Sequence, residues 1–368
     1  MTKVIIKDTI KNTLPEIIKE IFEKYNVKKR VSGKIVLVKP NLIGAFPPEK
    51  GATTDPEVVN AIIVELEKYN TKRIIVGDNS GSIHFDPIKI AKTTGIFRAS
   101  KGYFRNIAEK VEKVEMKSRF IKSLYISKII IDADFIINVP KFKTHSLTTI
   151  TGAIKNMFGI IPGGKKAKLH TFSHSIAEFA ELLIDIYQIR VPDLNIMDAI
   201  VGMEGMGPTN GRKRQINKIM GSDNGVSMDA VTAFMMGLDP NSVELLRLAN
   251  DRNLGEINIS NLEIDGKLER IHGFRAPRNG PIQRIIKKAV PHVFNFATVK
   301  PIVNQRKCKI CKKCVEVCPV SAMTIKNKYP EADRKKCISC FCCDEHCPHE
   351  AIILPSWQVD IFYRLMGK

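Results

Sequence analysis

Apolar positions along the first two thirds of the chain change period repeatedly. Short β-branched runs, Val4 to Lys7, Ile35 to Val38 and Arg73 to Val76, alternate with stretches whose apolar residues recur at helical spacing, Leu14 to Tyr25 and Pro56 to Tyr69. The alternation resumes with a run from Phe135 to Val139, a helix around Ser175 to Ile189, a run from Leu194 to Val201, and helices over Met228 to Met236 and Ser242 to Asn250. This predicts an α/β fold, a mostly parallel sheet with flanking helices, because parallel neighbours need a crossover that a helix supplies. Asp55 reads as an N-cap with Pro56 at the first helical position. Gly237 and Gly255 read as helix stops.

Ligands of open α/β sheets sit beyond the carboxyl ends of the strands, so the residues after each run carry the chemistry. Four segments fall there: Lys39-Pro40-Asn41, Gly77-Asp78-Asn79-Ser80-Gly81, Asn138 to His145, and Gly202 to Pro208. Each mixes glycine or proline with polar side chains, as a pocket lining needs. One alone is ordinary turn chemistry; together they predict a cleft on which Asn41, Asp78, Lys141, His145 and Glu204 converge. Asn41, Ser80, Lys141, Lys143 and Lys155 are the expected substrate-binding residues, and Asp78, His145 and Glu204 the expected catalytic ones. Lys141, Lys143 and His145 stand at alternate positions and share a face if the segment is extended. That face suits an anionic substrate, with His145 able to move a proton near neutral pH.

Two nearby patterns are weaker. Gly159-x-x-x-x-Gly164-Lys165 satisfies a phosphate loop until Lys166 replaces the hydroxyl residue that would hold magnesium, which leaves Lys155, Lys165, Lys166 and the glycine amides as an anion-binding lip. Gly205-x-Gly207-x-x-Asn210 lacks the third glycine of a dinucleotide fingerprint. His170 and His174, four apart, could share a metal on a helix, but a histidine capping the following helix is the better reading.

Cysteine usage changes the picture of the carboxyl-terminal part. All nine cysteines lie between Cys308 and Cys347, and eight form two C-x-x-C-x-x-C-x-x-x-C-P runs: Cys308, Cys311, Cys314, Cys318 with Pro319, then Cys337, Cys340, Cys343, Cys347 with Pro348. The second run repeats the first at an offset of 29 residues, which also places Ala322 on Ala351. This is an internal duplication and the ligand spacing of two 4Fe–4S clusters, in which the fourth cysteine of each run serves the other cluster. One cluster then takes Cys308, Cys311, Cys314 and Cys347, the other Cys337, Cys340, Cys343 and Cys318. Zinc ribbons use pairs of C-x-x-C and leave these runs unexplained. Cys342 is outside the pattern and reads as a spare packed thiol.

At 368 residues the chain divides into an α/β domain at 1–266, a basic linker at 267–303, a ferredoxin-type domain at 304–355 and a tail at 356–368. Lys and Arg outnumber Asp and Glu by 58 to 38, so acidic partners or substrates are expected. From Lys267 to Lys300 eight basic residues stand against one acid. The linker predicts docking of an acidic electron carrier such as a ferredoxin or flavodoxin, with peripheral membrane contact through Ile282 to Phe294 as the weaker reading of its apolar stripe. With 7% aromatic residues and no nucleic-acid motif, nucleic acid is a poor partner. No apolar run approaches the roughly 20 residues of a membrane span, and Met1 to Asp8 reads as a strand instead of a signal sequence. A cytoplasmic, soluble protein is expected.

Lys39-Pro40-Asn41-Leu42, Thr53-Thr54-Asp55-Pro56, Gly77 to Gly81, Val139 to His145, Lys155-Asn156-Met157-Phe158-Gly159 and Asp198 to Gly205 together resemble the domain-of-unknown-function 362 family, over residues from about 3 to about 266. Members of that family often carry a ferredoxin-type module. The resemblance implies an arrangement and a cofactor but no reaction. The residues themselves point to an iron–sulfur oxidoreductase or electron-transfer protein whose clusters exchange single electrons with a small anionic ligand in the α/β domain. Two alternatives stand beside it: a nucleic-acid-binding protein with structural clusters, and a non-redox enzyme holding a divalent metal on Asp78, Asp198 and Glu204.

Overall fold

The computed structural model describes residues 1–9, 11–81, 86–172, 175–277 and 300–353. Among the described residues up to 277 lie eleven strands: β1 (Lys3–Asp8), β2 (Ile35–Pro40), β3 (Arg73–Val76), β4 (Val111–Glu115), β5 (Ser123–Ser127), β6 (Phe135–Val139), β7 (Lys141–His145), β8 (Thr149–Thr151), β9 (Leu194–Glu204), β10 (Arg212–Ser222) and β11 (Glu263–Asp265). One sheet runs in the order β11-β1-β10-β9-β6-β2-β3, with β7 paired to β9 and to β8. The pairs β2–β3, β2–β6, β6–β9, β7–β9 and β1–β11 are parallel. β10 is antiparallel to both β1 and β9.

Alternation along the central strands splits the core into two layers. Leu37, Ile75 and Ile136 face one side, packed against Phe179, Leu183, Val231 and Leu246. Val36, Val38, Ile74, Val76 and Ile137 face the other, against Ile18, Ile21, Val59 and Ile62. The helices doing this are Ile176–Tyr187, Gly225–Met235 and Glu244–Asp251 on the first side, and Leu14–Lys24 and Pro56–Leu66 on the second. Each buried aliphatic side chain of this kind contributes roughly 1.5–3 kcal/mol, so two covered faces fix the sheet without help from polar contacts.

Most expected elements sit within a few residues of their anticipated bounds. Asp55 does cap the Pro56–Leu66 helix, accepting from Glu57 N at 2.9 Å. Gly237 has φ +80° directly after Gly225–Met235. Gly255 does not stop the last helix; Asn253, at φ 58°, takes the left-handed position earlier, as a short amide side chain can. Nor does a histidine cap the helix after His170, because Ser175 accepts from Glu178 N at 3.1 Å. The β4–β5 hairpin and β10 were unanticipated: exposed lysines and glutamates interrupt their apolar pattern.

The cysteine-bearing module is small. β12 (Ile302–Val303) pairs with β15 (Ile352–Ile353) and closes it, while β13 (Met323–Lys326) and β14 (Tyr329–Ala332) form a hairpin between the two runs. The duplication is visible in the backbone, since Ile310 and Ser339, Lys312 and Phe341, and Ser321 and Glu350 all have φ between 49° and 61°, each pair at the same offset. The stretch after residue 266 packs on the first layer through Leu268, Ile271 and Phe274. Arg278, Arg284, Lys287, Lys288, the apolar stripe Ile282 to Phe294 and the tail 356–368 lie outside the described residues, as does His174.

Candidate functional site

The strand ends build a polar floor. Lys39, at the end of β2, is wholly buried and bonds Asp78 Oδ1 at 2.7 Å and Asn156 O at 2.6 Å. Asp78, just past β3, also accepts from Leu42 N at 2.8 Å. Asn41 Nδ2 donates to Asn156 Oδ1 at 2.8 Å. Gly159 is required here, for a Cβ on it would lie 2.1 Å from Asp78 Oδ1 and 2.5 Å from Lys39 Nζ.

Above this floor lies a cleft of about 710 Å³, mouth included. Three lysines line it without a carboxylate at ion-pair distance. Lys143 Nζ is held by Asn41 Oδ1 at 3.0 Å and Ala52 O at 2.5 Å. Lys166 Nζ is held by Asn79 O and, at 3.2 Å, Ser80 O. Burial, then Lys155, brings the Lys143 ammonium down to about 7; burial brings Lys166 down to about 7, with Lys39 and Lys155 lowering it further against Asp78. Among the described residues Lys155 has no hydrogen-bond partner, and it stands 5.7 Å from the Phe158 ring centroid. Burial lowers its pKa too, opposed by Glu345.

The far wall comes from the cysteine-bearing module: Val317, Cys342, Glu345 and His346 all line the cleft. His145 Nδ1 accepts from Leu147 N at 3.0 Å and Thr148 N at 3.3 Å, so its proton sits on Nε2. Nε2 lies 3.2 Å from Glu345 Oε1, yet neither atom is aligned for a hydrogen bond. Burial, then Lys155, drops the His145 pKa to about 4 despite Glu345. His145 is therefore a neutral N–H donor here, and its expected proton shuttling has no free lone pair to work with. Thr151 Oγ1, also in the lining, is buried with no partner.

The module is tied down beside this wall. Asn210 Nδ2 donates to Asp344 Oδ1 at 2.6 Å, Thr209 Oγ1 to Glu345 O at 3.3 Å, and Lys50 pairs with Glu350. Gly81 meets His346 so closely that a Cβ would lie 2.5 Å from its Nε2.

The cysteines surround two further cavities. Cys308, Cys311, Cys314 and Cys347 line one, and Cys318, Cys337, Cys340, Cys342 and Cys343 line another. Backbone amides point at the sulfurs: Ala322 N lies 3.2 Å from Cys318 Sγ and Ala351 N 3.2 Å from Cys347 Sγ. Burial, then Cys347, Cys311 and Cys308, pushes the Cys314 thiol up to about 12, so a thiolate there needs iron to hold it. The donor set fits cubane clusters: soft sulfur ligands with amide donors around them. Cys342 lines both the second cysteine cavity and the cleft.

Of the residues expected at the cleft, Asn41, Asp78, Lys143, Lys155 and His145 line it. Ser80 does not line it; its carbonyl accepts from Lys166 Nζ, which does, at 3.2 Å. Lys141 does not line it. A bulge between Lys141 and Lys143 breaks their common face, and Lys141 Nζ pairs with Asp198 Oδ2 at 2.7 Å on β9. Glu204 is likewise elsewhere, accepting from Arg275 N at 3.2 Å. With Asp78 on Lys39, Asp198 on Lys141 and Glu204 on Arg275, those three carboxylates do not gather, and no three such side chains among the described residues come together around one metal ion. His170, also in the lining, stacks on Phe179 at 4.4 Å between centroids. Sequence reasoning missed Glu345, His346 and Thr151. Glu345 and His346 lie inside the second cysteine run, where cluster ligation is the dominant signal, and only the docking of the module turns them toward the cleft.

The family model described as Domain of unknown function (DUF362) matches residues 36–234, and that of a 4Fe-4S binding domain matches residues 301–324. A thylakoid-associated protein of Synechocystis is 32% identical over 214 residues, covering 57% of this chain and 65% of that protein's own length. Among solved structures, the lactate racemase apoprotein of Thermoanaerobacterium thermosaccharolyticum is 13% identical with a TM-score of 0.41, over 65% of this chain and 58% of that one. A Thermotoga maritima protein is also 13% identical, with a TM-score of 0.36 over 53% and 51% of the two chains. Among the described residues no helix is long and apolar enough to cross a membrane.

Proposed function

Because this chain belongs to the DUF362 family and carries a 4Fe-4S binding domain, we propose that it is an iron–sulfur oxidoreductase whose two clusters exchange single electrons with a small anionic ligand held in the cleft. The observation that carries this is Cys342: one residue separates the cleft from the cavity of Cys318, Cys337, Cys340 and Cys343. Electron exchange needs no longer path than that wall. The clusters supply one-electron chemistry when bound. The chain's residues do the rest: Lys143, Lys155 and Lys166 attract the ligand, Asn41 and the Lys39–Asp78 pair fix the floor, and the His145 N–H presents a donor.

In this reading residues 1–266 form the ligand-binding unit, 267–303 the connection and 304–355 the cluster unit, with the crossed cysteine assignment. The cluster of Cys308, Cys311, Cys314 and Cys347 is the outer one. Cys311 is exposed, and the exposed Lys307, Lys309 and Lys312 beside it carry no ion pair among the described residues. That surface suits an acidic electron carrier. Such a carrier, and eight reduced thiolates, support a cytoplasmic location in this reading.

The test is an anaerobic redox titration of the reconstituted protein with and without small anions. An anion in the cleft should lower the potential of the inner cluster, by about 59 mV for each tenfold preference for the oxidised form. A potential indifferent to every anion that binds would sink the electron-exchange reading.

A further inference from the structure

The charge of the ligand can be read from how the buried lysines are held. Lys143 and Lys166 are 0% and 7% exposed, and among the described residues neither has a carboxylate within ion-pair distance. Each ammonium rests on two protein oxygens, Asn41 Oδ1 and Ala52 O for one, Asn79 O and Ser80 O for the other. One N–H of each is left over. Lys39 is paired with Asp78, which leaves Glu345 as the one other carboxylate in the described lining against Lys143, Lys155 and Lys166, an excess of two positive charges. His145 is neutral because Nδ1 accepts two amide protons. His170, buried and stacked on Phe179, is also held toward the neutral form. Buried ammoniums without a counter-charge are costly, and a bound anion removes that cost. Thr151 Oγ1, buried and unpartnered in the same lining, is a further group awaiting a ligand atom.

We infer that the cleft is a receptor for a small dianion, an inorganic oxyanion or a short dicarboxylate, clamped between the leftover N–H groups of Lys143 and Lys166. This deepens the anionic-ligand reading above and rests on the same cleft, but it requires no electron transfer. Its occupancy also draws protons, because a dianion holds both lysines charged.

Isothermal titration calorimetry on the reconstituted protein tests it, with sulfate and malonate as dianions and nitrate and acetate as monoanions at fixed ionic strength. At least one dianion should bind tenfold or more tighter than its monoanion counterpart; sulfate against malonate tells oxyanion from dicarboxylate. Lys143→Met and Lys166→Met should each remove that preference, while Lys168→Met, an exposed lysine on the Gly163–Leu169 helix, leaves it intact. At pH 8, heats in two buffers of different ionisation enthalpy should reveal proton uptake. Should Lys143→Met lose iron or fail to fold, Lys166→Met decides alone. Equal affinity for dianions and monoanions, binding of no probe at all, or a Lys166→Met protein that binds sulfate like the parent, overturns the inference. Dianion binding without a change in cluster potential would instead sink only the redox reading.

Discussion

Asp78→Ala isolates the charge at the floor of the cleft. Asp78 is the only carboxylate paired with Lys39 among the described residues, and Lys39 is 0% exposed. Removing it leaves the ammonium with Asn156 O alone and orphans Leu42 N, which Asp78 Oδ2 serves at 2.8 Å. Breaking a buried pair costs about 3–5 kcal/mol, and a buried unsatisfied amide about 1–3 kcal/mol more. A combined loss on the order of 4–6 kcal/mol is expected, the two terms overlapping at one site. The loss has a pH signature. Burial already lowers the Lys39 pKa against the pull of Asp78, and without Asp78 it falls further. The folded state then binds fewer protons than the unfolded chain between that value and the unfolded lysine pKa, so stability rises with pH through this window. Anaerobic urea unfolding of the reconstituted protein, at several pH values between 6 and 10, measures both. The double variant Lys39→Met/Asp78→Leu should recover much of the loss, since an apolar pair leaves no charge unmatched. A loss below about 1 kcal/mol, or one that does not shrink as pH rises, would refute the reasoning.

Cys318→Ala and Cys347→Ala should each cost about four iron atoms per chain, with Cys347→Ala altering the electron paramagnetic resonance signal of the outer cluster; loss of the inner signal instead would reverse the crossed assignment. Asp229 accepts from Ala153 N at 2.6 Å and Ile154 N at 3.0 Å, and burial lifts its pKa to about 7 despite these bonds. Its folded pKa exceeds its unfolded one, so the stability it contributes is complete below about pH 4 and lost as pH rises to about 7; Asp229→Asn should flatten unfolding free energy across that window. Lys309→Glu with Lys312→Glu should slow reduction by an acidic ferredoxin at low salt and blunt its ionic-strength dependence, measured by stopped flow. Gly81→Ala should loosen the module from the α/β unit, because its Cβ would lie 2.5 Å from His346 Nε2, and amide hydrogen exchange over residues 342–351 should quicken.

What the sequence determined is whatever depends on local period and spacing. Alternating strand and helix patterns dictate the two-layered sheet, because each face must be covered. Cysteine spacing dictates the ligand runs, because a tight loop wraps one side of a cube. Strand-end polar segments located Asn41, Asp78, Lys143 and His145 for the same reason. Tertiary structure decided the rest. Lys141 looked equivalent to Lys143 until one bulge turned it toward Asp198, a partner 57 residues away. Glu204 followed a strand as a cleft residue should, yet its carboxylate was claimed by the Arg275 amide. Glu345 and Cys342 carry no local mark distinguishing them from cluster scaffolding. They reach the cleft only because the duplicated module docks on Gly81, Thr209 and Asn210, and long-range packing of that kind leaves no periodic trace in either segment.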